Sequence, residues 1–224
     1  MKYTIEIRAA EGGEDSRLFT RTLAEAYTKT IYNCGWESRV VLESLNEIHI
    51  LVEGDNLEQL LNETGGHRLQ RTPPTEKKGR VHTSTVTVAV IEFQDKNILE
   101  ILDKDIKIEW FSGTGAGGQF RNKKMNSVRL IHIPTNITVT AQCRSRQNSL
   151  DQAKTELIKR LQKETLYKQY KEESELRKQQ VGSGMRGDKI RTYRFQDDIT
   201  VDHKMNIKLS TKVVLDGNIH EFWE

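Results

Sequence analysis

Apolar and polar residues alternate over Tyr3-Thr4-Ile5-Glu6-Ile7-Arg8, which predicts a half-buried strand. Phe19, Leu23, Tyr27 and Ile31 then recur along one face of a predicted helix that Gly35 stops. Between the two lies a turn, Glu11-Gly12-Gly13-Glu14-Asp15. Short strands are expected around Ser38–Leu42 and Glu47–Val52, and a short helix around Leu57–Leu61. The segments Gly66–Arg71 and Thr85–Ile91 read as a strand pair, joined by a loop that Pro73-Pro74 holds stiff.

Residues 95–105 are the expected boundary between two parts. Beyond it Ile106, Ile108 and Trp110 alternate with charged residues and lead into a glycine-rich stretch. Strands are expected at Val128–Ile133 and Ile137–Cys143, turning at Pro134-Thr135-Asn136. Ser149 is expected to cap the next helix, with Gln152 completing a capping box. Ala153, Leu157 and Leu161 give that helix an apolar stripe, and the pattern runs on to about Gln180. Past Tyr170 it is nearly all polar, so that half is expected to project or pack weakly. Gly182-Ser183-Gly184 ends it, a basic hinge-like stretch from Met185 to Arg191 follows, and short strands are expected at Ile190–Phe195, Ile199–Asp202 and Ile207–Leu209.

A chain of 224 residues is long enough for two modest domains, and 35% hydrophobic with 30% charged residues is ordinary for a soluble protein. No apolar run approaches the roughly 18 residues of a membrane span, and Met1-Lys2-Tyr3-Thr4-Ile5-Glu6 lacks the apolar core of a signal peptide. Cys34 and Cys143 stand far apart and in no metal spacing, which favours a reducing compartment, the cytoplasm, and predicts no metal site. No cofactor is expected. The net charge of +3 says less than its distribution. Cations gather at Lys77/Lys78/Arg80, at Arg121/Lys123/Lys124/Arg129, at Arg144/Arg146 and at Arg186/Lys189/Arg191/Arg194. Each cluster alone is equally a solvated face; together they favour a polyanion such as RNA, with steep salt dependence.

The glycine-rich stretch is Ser112-Gly113-Thr114-Gly115-Ala116-Gly117-Gly118-Gln119-Phe120-Arg121-Asn122-Lys123-Lys124. Its spacing is not that of a P-loop, which needs Gly-Lys-Ser/Thr after the glycines. Gly113-x-Gly115-x-x-Gly118 matches a dinucleotide turn formally, but cations crowd the next turn and no suitable βαβ unit follows. Two readings of these residues remain: a flexible surface hairpin, or a backbone that Gly117-Gly118 lets approach a ligand.

Gly115-Ala116-Gly117-Gly118-Gln119, followed by Asn122 and Asn126-Ser127-Val128-Arg129, resembles the peptidyl-tRNA hydrolysis loop of bacterial-type class I peptide chain release factors. A second stretch, Gly65-Gly66-His67-Arg68-Leu69-Gln70-Arg71-Thr72-Pro73-Pro74-Thr75-Glu76 running on to Gly79-Arg80-Val81-His82-Thr83-Ser84, resembles their codon-reading segment of the Pro-x-Thr type. The resemblance implies an α+β fold. A codon-recognition α/β domain over residues 1–100 is completed by a C-terminal segment over 183–224. A β-α-β-β-α hydrolysis domain carrying the Gly-Gly-Gln loop is inserted over 101–182.

It further implies a translation termination factor that reads UAA and UAG in the ribosomal A site and promotes hydrolysis of the peptidyl-tRNA ester. Gly117, Gly118 and Gln119 are then the hydrolytic residues, with Gln119 also a candidate for side-chain methylation by a glutamine methyltransferase. Gly12, Gly13, Glu14 and Asp15 open the helix that reads the first base. By themselves Gly12-Gly13 read first as a plain strand-to-helix turn, and the resemblance reverses that. Pro73, Pro74 and Thr75 meet the first two bases, His82 stacks between the second and third, and Gln70 and Thr83 meet the third. Gly187-Asp188-Lys189-Ile190-Arg191 resembles a switch loop that senses the decoding centre, against the alternative of an ordinary basic linker. Arg121, Lys123, Lys124, Asp188, Lys189 and Arg191 are thereby expected to contact the ribosome.

The chain itself supplies no general base beside Gln119: no Ser/His/Asp set, no metal ligands, no paired carboxylates. A neutral amide places water while its backbone N–H supports the developing oxyanion, so ribosomal RNA and the tRNA terminal hydroxyl have to supply the rest. The family also carries a helical domain ahead of this region that contacts a recycling GTPase. Here the codon-reading part starts almost at Met1, so dependence on that GTPase is not expected. Phe120-Arg121 replaces the usual His-Val, and Thr72 the usual Val. The rival readings are a codon-independent ribosome-rescue hydrolase and a non-catalytic occupant of the A site.

Overall fold

The protein is described by a computed structural model covering residues 1–74, 76–93, 103–115, 118–119, 123–182, 184–185 and 187–223. The chain forms two compact units, Met1–Asp95 with Glu173–Glu224, and Lys96–Glu172.

The first unit is built on an eight-stranded sheet. Its strands are β1 (Lys2–Ala9), β2 (Glu37–Glu43), β3 (Glu47–Glu53), β4 (Gly65–Arg71), β5 (His82–Glu92), β9 (Arg191–Arg194), β10 (Ile199–Asp202) and β11 (Lys208–Leu209), in the order β11-β10-β9-β4-β5-β1-β3-β2. All neighbours are antiparallel except β4 and β9, where the C-terminal segment enters parallel to the N-terminal one. Helix α1 (Glu14–Asn33) covers one face with Phe19, Leu23, Tyr27 and Ile31, all fully buried against Ile5, Ile7, Ile50 and Val88 among others. Four-residue spacing puts those side chains on one stripe. Gly35, at φ 74°, turns the chain out of the helix, and Trp36 N–H donates to Ile31 O at 3.0 Å.

The core also holds a polar network. Arg191 donates to both oxygens of Glu63, at 2.6 and 2.9 Å, and to Asp202 Oδ2 at 2.8 and 3.1 Å. Tyr27 Oη and Trp223 Nε1 donate to Glu63 at 2.7 Å each. Burial alone raises the Glu63 carboxyl, but Arg191, His67 and Tyr27 outweigh it and hold the group below its ordinary range. His67, packed between Tyr193 Oη and the Glu63 carbonyl, is pushed down to about 4 by burial and then by Arg191. Trp36 stacks on Trp223 at 5.7 Å, and Asn33 Nδ2 donates to Gly217 O at 3.0 Å, which fastens the C-terminal segment to α1.

The second unit holds an antiparallel sheet of β6 (Ile106–Phe111), β7 (Ser127–His132) and β8 (Ile137–Gln142) in the order β6-β7-β8. Helix α2 (Arg146–Val181) lays Ala153, Leu157 and Leu161 on Val128, Leu130, Val139 and Ala141. Ile106 and Trp110 pack against this core, whereas Ile108 is 44% exposed on the edge strand. The helix expected between β6 and β7 falls partly on 116–117 and 120–122, outside the described residues.

Two expectations about α2 are corrected. Its cap is Ser145, whose hydroxyl accepts from Asn148 N–H at 3.1 Å; Ser149 lies inside the helix and accepts from Cys143 N–H at 2.9 Å. The polar C-terminal end, from Glu173 on part of the first unit, packs firmly there. Arg177 forms a two-pronged pair with the buried Glu6 at 2.8 Å each, and the Gln180 amide bonds Val90 N–H and C=O at 2.9 and 2.8 Å. These contacts are ionic and amide-to-backbone, so apolar periodicity does not reveal them. A short helix α3 (Thr211–Leu215), capped by Ser210, was not foreseen.

Candidate functional site

In the first unit, the turn before α1 meets the segment joining β4 and β5. Gly12 and Gly13 have φ of 127° and 60°, and a Cβ on Gly12 would strike the Ser84 side chain. Only glycine lets this turn lie on β5, where Thr85 N–H donates to Glu11 O at 2.6 Å. Gly13 is the N-cap of α1 and no side chain caps it. Gly12, Gly13 and Glu14 are exposed there. Asp15 points inward. One of its oxygens accepts from Arg71, at 2.9 and 2.7 Å, and the other from Ser84 Oγ at 2.9 Å, so it ties α1 to β4 and β5.

Gln70 and Thr83 stand opposite each other across β4 and β5, and His82 opposes Arg71. Gly12, His82 and Thr83, with Val81 and Ser84, line one open pocket of about 350 Å³. Pro73 is buried and Pro74 exposed, and Pro73 O accepts from Glu76 N–H at 3.0 Å. Thr75 lies outside the described residues.

Glu76, given no role in the sequence reading, organises this loop. Its carboxylate accepts from Lys78 N–H at 2.7 Å and from Arg80 Nη2 at 3.3 Å, and lies 2.8 Å from His82 Nε2. The Lys78 N–H first, then Arg80 and His82, hold it below the usual carboxylate range. A lone acid among Lys77, Lys78, Arg80 and His82 was the signal available in the sequence.

The 187–191 segment divides. Asp188 is exposed, its carbonyl fills the space that a Cβ on Gly66 would need, and Ile190 N–H donates to Gly66 O at 2.8 Å. Lys189 is half-buried. Arg191, expected to face the ribosome, is instead fully buried with its charge met by Glu63 and Asp202. A charge so enclosed makes no external contact.

In the second unit Gly118, Gln119, Lys123 and Lys124 are exposed, while Gly117 and Arg121 lie outside the described residues. Among the described residues nothing lies within 4 Å of a Cβ placed on Gly118. The near root of the loop is held by Gln142, whose Oε1 accepts from Thr114 N–H at 3.3 Å and whose Nε2 donates to Thr114 Oγ1 at 3.2 Å. Gly113, Lys124, Asn126, Gln142 and Arg144 line a pocket of about 620 Å³ below it. Asn126 Nδ2 donates to Arg144 O at 2.9 Å, and Arg146 lies 4.1 Å over the Trp110 ring. Among the described residues no three of His, Cys, Asp and Glu gather as metal ligands, and no helix is long and apolar enough to cross a membrane.

This pairing of a glycine-opened helix beside a β-hairpin loop with a separate exposed Gly-Gln loop defines a class. Residues 1–88 match the sequence model of the PCRF domain and residues 94–204 that of the RF-1 domain. The chain belongs to the class I peptide chain release factor family. It is 39% identical over 234 residues to peptide chain release factor 1 of Thermotoga maritima, an alignment that takes in 98% of this chain and 67% of the relative. It is 40% identical over 227 residues to that of Hydrogenobaculum sp., with 97% and 64% covered. Among solved structures it resembles RF2 of Thermus thermophilus at a TM-score of 0.57 and 29% identity, over 99% of this chain and 66% of that one. The chain thus spans about two thirds of the length of these relatives.

Proposed function

We propose that this protein terminates translation by reading UAA and UAG in the ribosomal A site through its first unit and promoting peptidyl-tRNA ester hydrolysis through its second. The observation that carries this reading is the convergence of Gly12, His82 and Thr83 on one open pocket, with Gln70 facing Thr83. It brings the turn before α1 onto the β4–β5 hairpin, some 70 residues further along the sequence, in a chain whose relatives are named peptide chain release factor 1.

On this reading the uncapped start of α1 offers N–H donors to the first base, with Gly12, Gly13 and Glu14 at the contact. Asp15 acts from below by fixing Arg71 and Ser84. Pro73, Pro74 and Thr75 present the loop to the first two bases. The His82 ring, steadied by Glu76, stacks between the second and third, and Gln70 with Thr83 meets the third. The amide and hydroxyl of that pair each donate and accept, which suits a position open to A or G.

In the hydrolytic unit Gln119 places water and Gly117-Gly118 bring backbone N–H groups to the oxyanion, while the ribosome and the tRNA supply the proton transfers. Arg121, Lys123, Lys124, Asp188 and Lys189 contact ribosomal RNA. The two compact units are the codon-recognition and hydrolysis domains. A glutamine methyltransferase acting on Gln119 is a further partner, and the cytoplasm is the site of action.

The test is peptide release from ribosomes holding UAA, UAG, UGA or a sense codon in the A site. Release on UAA and UAG alone is the expected result. Release on every codon overturns the codon-reading half, and no release at saturating protein overturns the hydrolytic half.

A further inference from the structure

The face of the first sheet turned away from α1 carries a group of cations that the fold leaves unanswered. Residues two apart on a strand share a face, and here β4 presents Arg68 and Gln70, β5 presents Thr83 and Thr85, and β9 presents Thr192 and Arg194. The registers place Arg68 between Thr85 and Thr192, and Gln70 between Thr83 and Arg194. His203 joins them through Nε2, 2.8 Å from Thr192 Oγ1, and Lys189 follows from the adjoining segment.

Among the described residues the side chains of Arg68, Lys189 and Arg194 make no ion pair or hydrogen bond. Arg68 Nε and Thr85 Oγ1 are buried without a partner although they sit directly across the strand pair from each other. Asp202, which lies beside Arg191 in the core, is committed to it and to the backbone N–H groups of Lys204 and Met205. The mutual repulsion registers in the protonation of two members. Burial and then Arg194 lower the Arg68 guanidinium, and burial followed by Lys189 and Arg68 lowers the His203 imidazole. Like charges held together beside unsatisfied donors form a ready anion site.

We propose that Arg68, Lys189, Arg194 and His203 form a phosphate-binding subsite that holds a phosphodiester of an RNA strand next to Gln70 and Thr83. The proposal rests on reading that face as the codon-reading one. There a backbone contact fixes the register of the strand while Gln70 and Thr83 read the base edge. Arg194 is exposed and Arg68 half-buried, so both guanidinium groups are reachable from solvent.

The experiment compares the full chain with Arg194→Ala, Arg194→Lys and Arg68→Ala in release assays on ribosomes carrying UAA, UAG or a sense codon, over a range of salt. Both alanine variants should raise the half-saturating concentration about tenfold on UAA and UAG alike. Release at saturation should stay unchanged, and the slope of log affinity against log salt should become shallower by about one. Arg194→Lys should recover most of the loss. Thermal unfolding of Arg194→Ala should not move to lower temperature, because an unpaired cation is being removed. Unchanged affinity and salt slope overturn the proposal, and so does a loss confined to one codon, which would make these residues base readers. If the unaltered protein proves indifferent to codon, the codon reading fails by itself, and the change in salt slope still decides whether the cations hold phosphate.

Discussion

Arg191 and Glu63, separated by 128 residues in sequence, meet as a doubly hydrogen-bonded pair with no solvent exposure on either side chain. The contact joins β9 to the turn before β4, and Tyr27 and Trp223 add two further donors to the same carboxylate. Removing one partner leaves the other charge buried and unmatched, which costs about 3–5 kcal/mol. Arg191→Ala should therefore lower the unfolding free energy of the first unit by that order, measured by urea denaturation followed by tryptophan fluorescence. A loss under about 1 kcal/mol would show that water or a rearranged neighbour replaces the pair.

This pair also marks the limit of what the sequence discloses. Strand β1 and the stripe Phe19, Leu23, Tyr27 and Ile31 were legible because burial there repeats at the period of the element. Glu63 and Arg191 follow no period; their meeting depends on β9 entering parallel to β4, which local patterning does not encode. Arg191 consequently reads as one more cation in a basic linker. Glu6 misleads in the same manner, since alternation assigns it to solvent while Arg177 covers it. For the candidate sites, motif order was what singled out Gly12, Gln70, Pro73 and His82 in the first unit and Gln119 in the second. The inward turn of Asp15 and the organising role of Glu76 needed coordinates.

His67 gives the first unit a pH dependence of definite sign. Its folded-state value of about 4 lies below the ordinary 6.5, so the unfolded chain binds more protons between these limits. Stability should fall as pH drops from 6.5 toward 4, by up to on the order of 3 kcal/mol, and should show none of this loss above 6.5. His203 is also lowered and adds in the same direction, so the measurement belongs in a His203→Ala background. Chemical denaturation at stepped pH should show the slope between 4.5 and 6.5 disappearing in His67→Asn. An equal slope in that variant would assign the effect elsewhere.

Arg177 and Glu6 set how firmly the end of α2 is held within the first unit. Glu6 is 4% exposed, and Arg177 takes both of its oxygens. Arg177→Ala takes away both short bonds and leaves the buried carboxylate to Arg8 Nη2, which donates to Glu6 Oε2 at 3.2 Å, so the cost should be about 1–3 kcal/mol, less than for a charge left wholly unmatched. Because the Gln180 bonds to Val90 lie on the same helical end, the loss should be local first. Hydrogen exchange should speed up in residues 173–181 at least tenfold while the centre of α1 stays protected.

Gly12 and Gly13 separate two reasons for keeping glycine. Both have positive φ, but only at Gly12 does a Cβ meet a neighbour, the Ser84 side chain that also donates to Asp15. Gly12→Ala should lower stability by about 2 kcal/mol or more and displace Ser84 from Asp15. Gly13→Ala carries the backbone strain without the collision and should cost less. A thermal-shift comparison that finds Gly13→Ala the more damaging would mean that the turn relaxes away from β5.

Gly118 and Gln119 pose the same question where no described neighbour crowds the backbone. Among the described residues nothing stands where a Cβ on Gly118 would lie, so Gly118→Ala should leave stability within about 0.5 kcal/mol of the unaltered chain. Any need for glycine there must arise when the loop docks, where the backbone has to approach the reacting ester more closely than a Cβ permits. Gln119→Ala keeps that backbone and removes only the amide that places water. The expected order in release at saturating protein is therefore a partial loss for Gln119→Ala and a larger one for Gly118→Ala, both with unchanged unfolding temperature. The reverse order would move the chemistry from the backbone N–H to the glutamine side chain. A lowered unfolding temperature in Gly118→Ala would mean that the loop packs on its own unit more tightly than its open surroundings show.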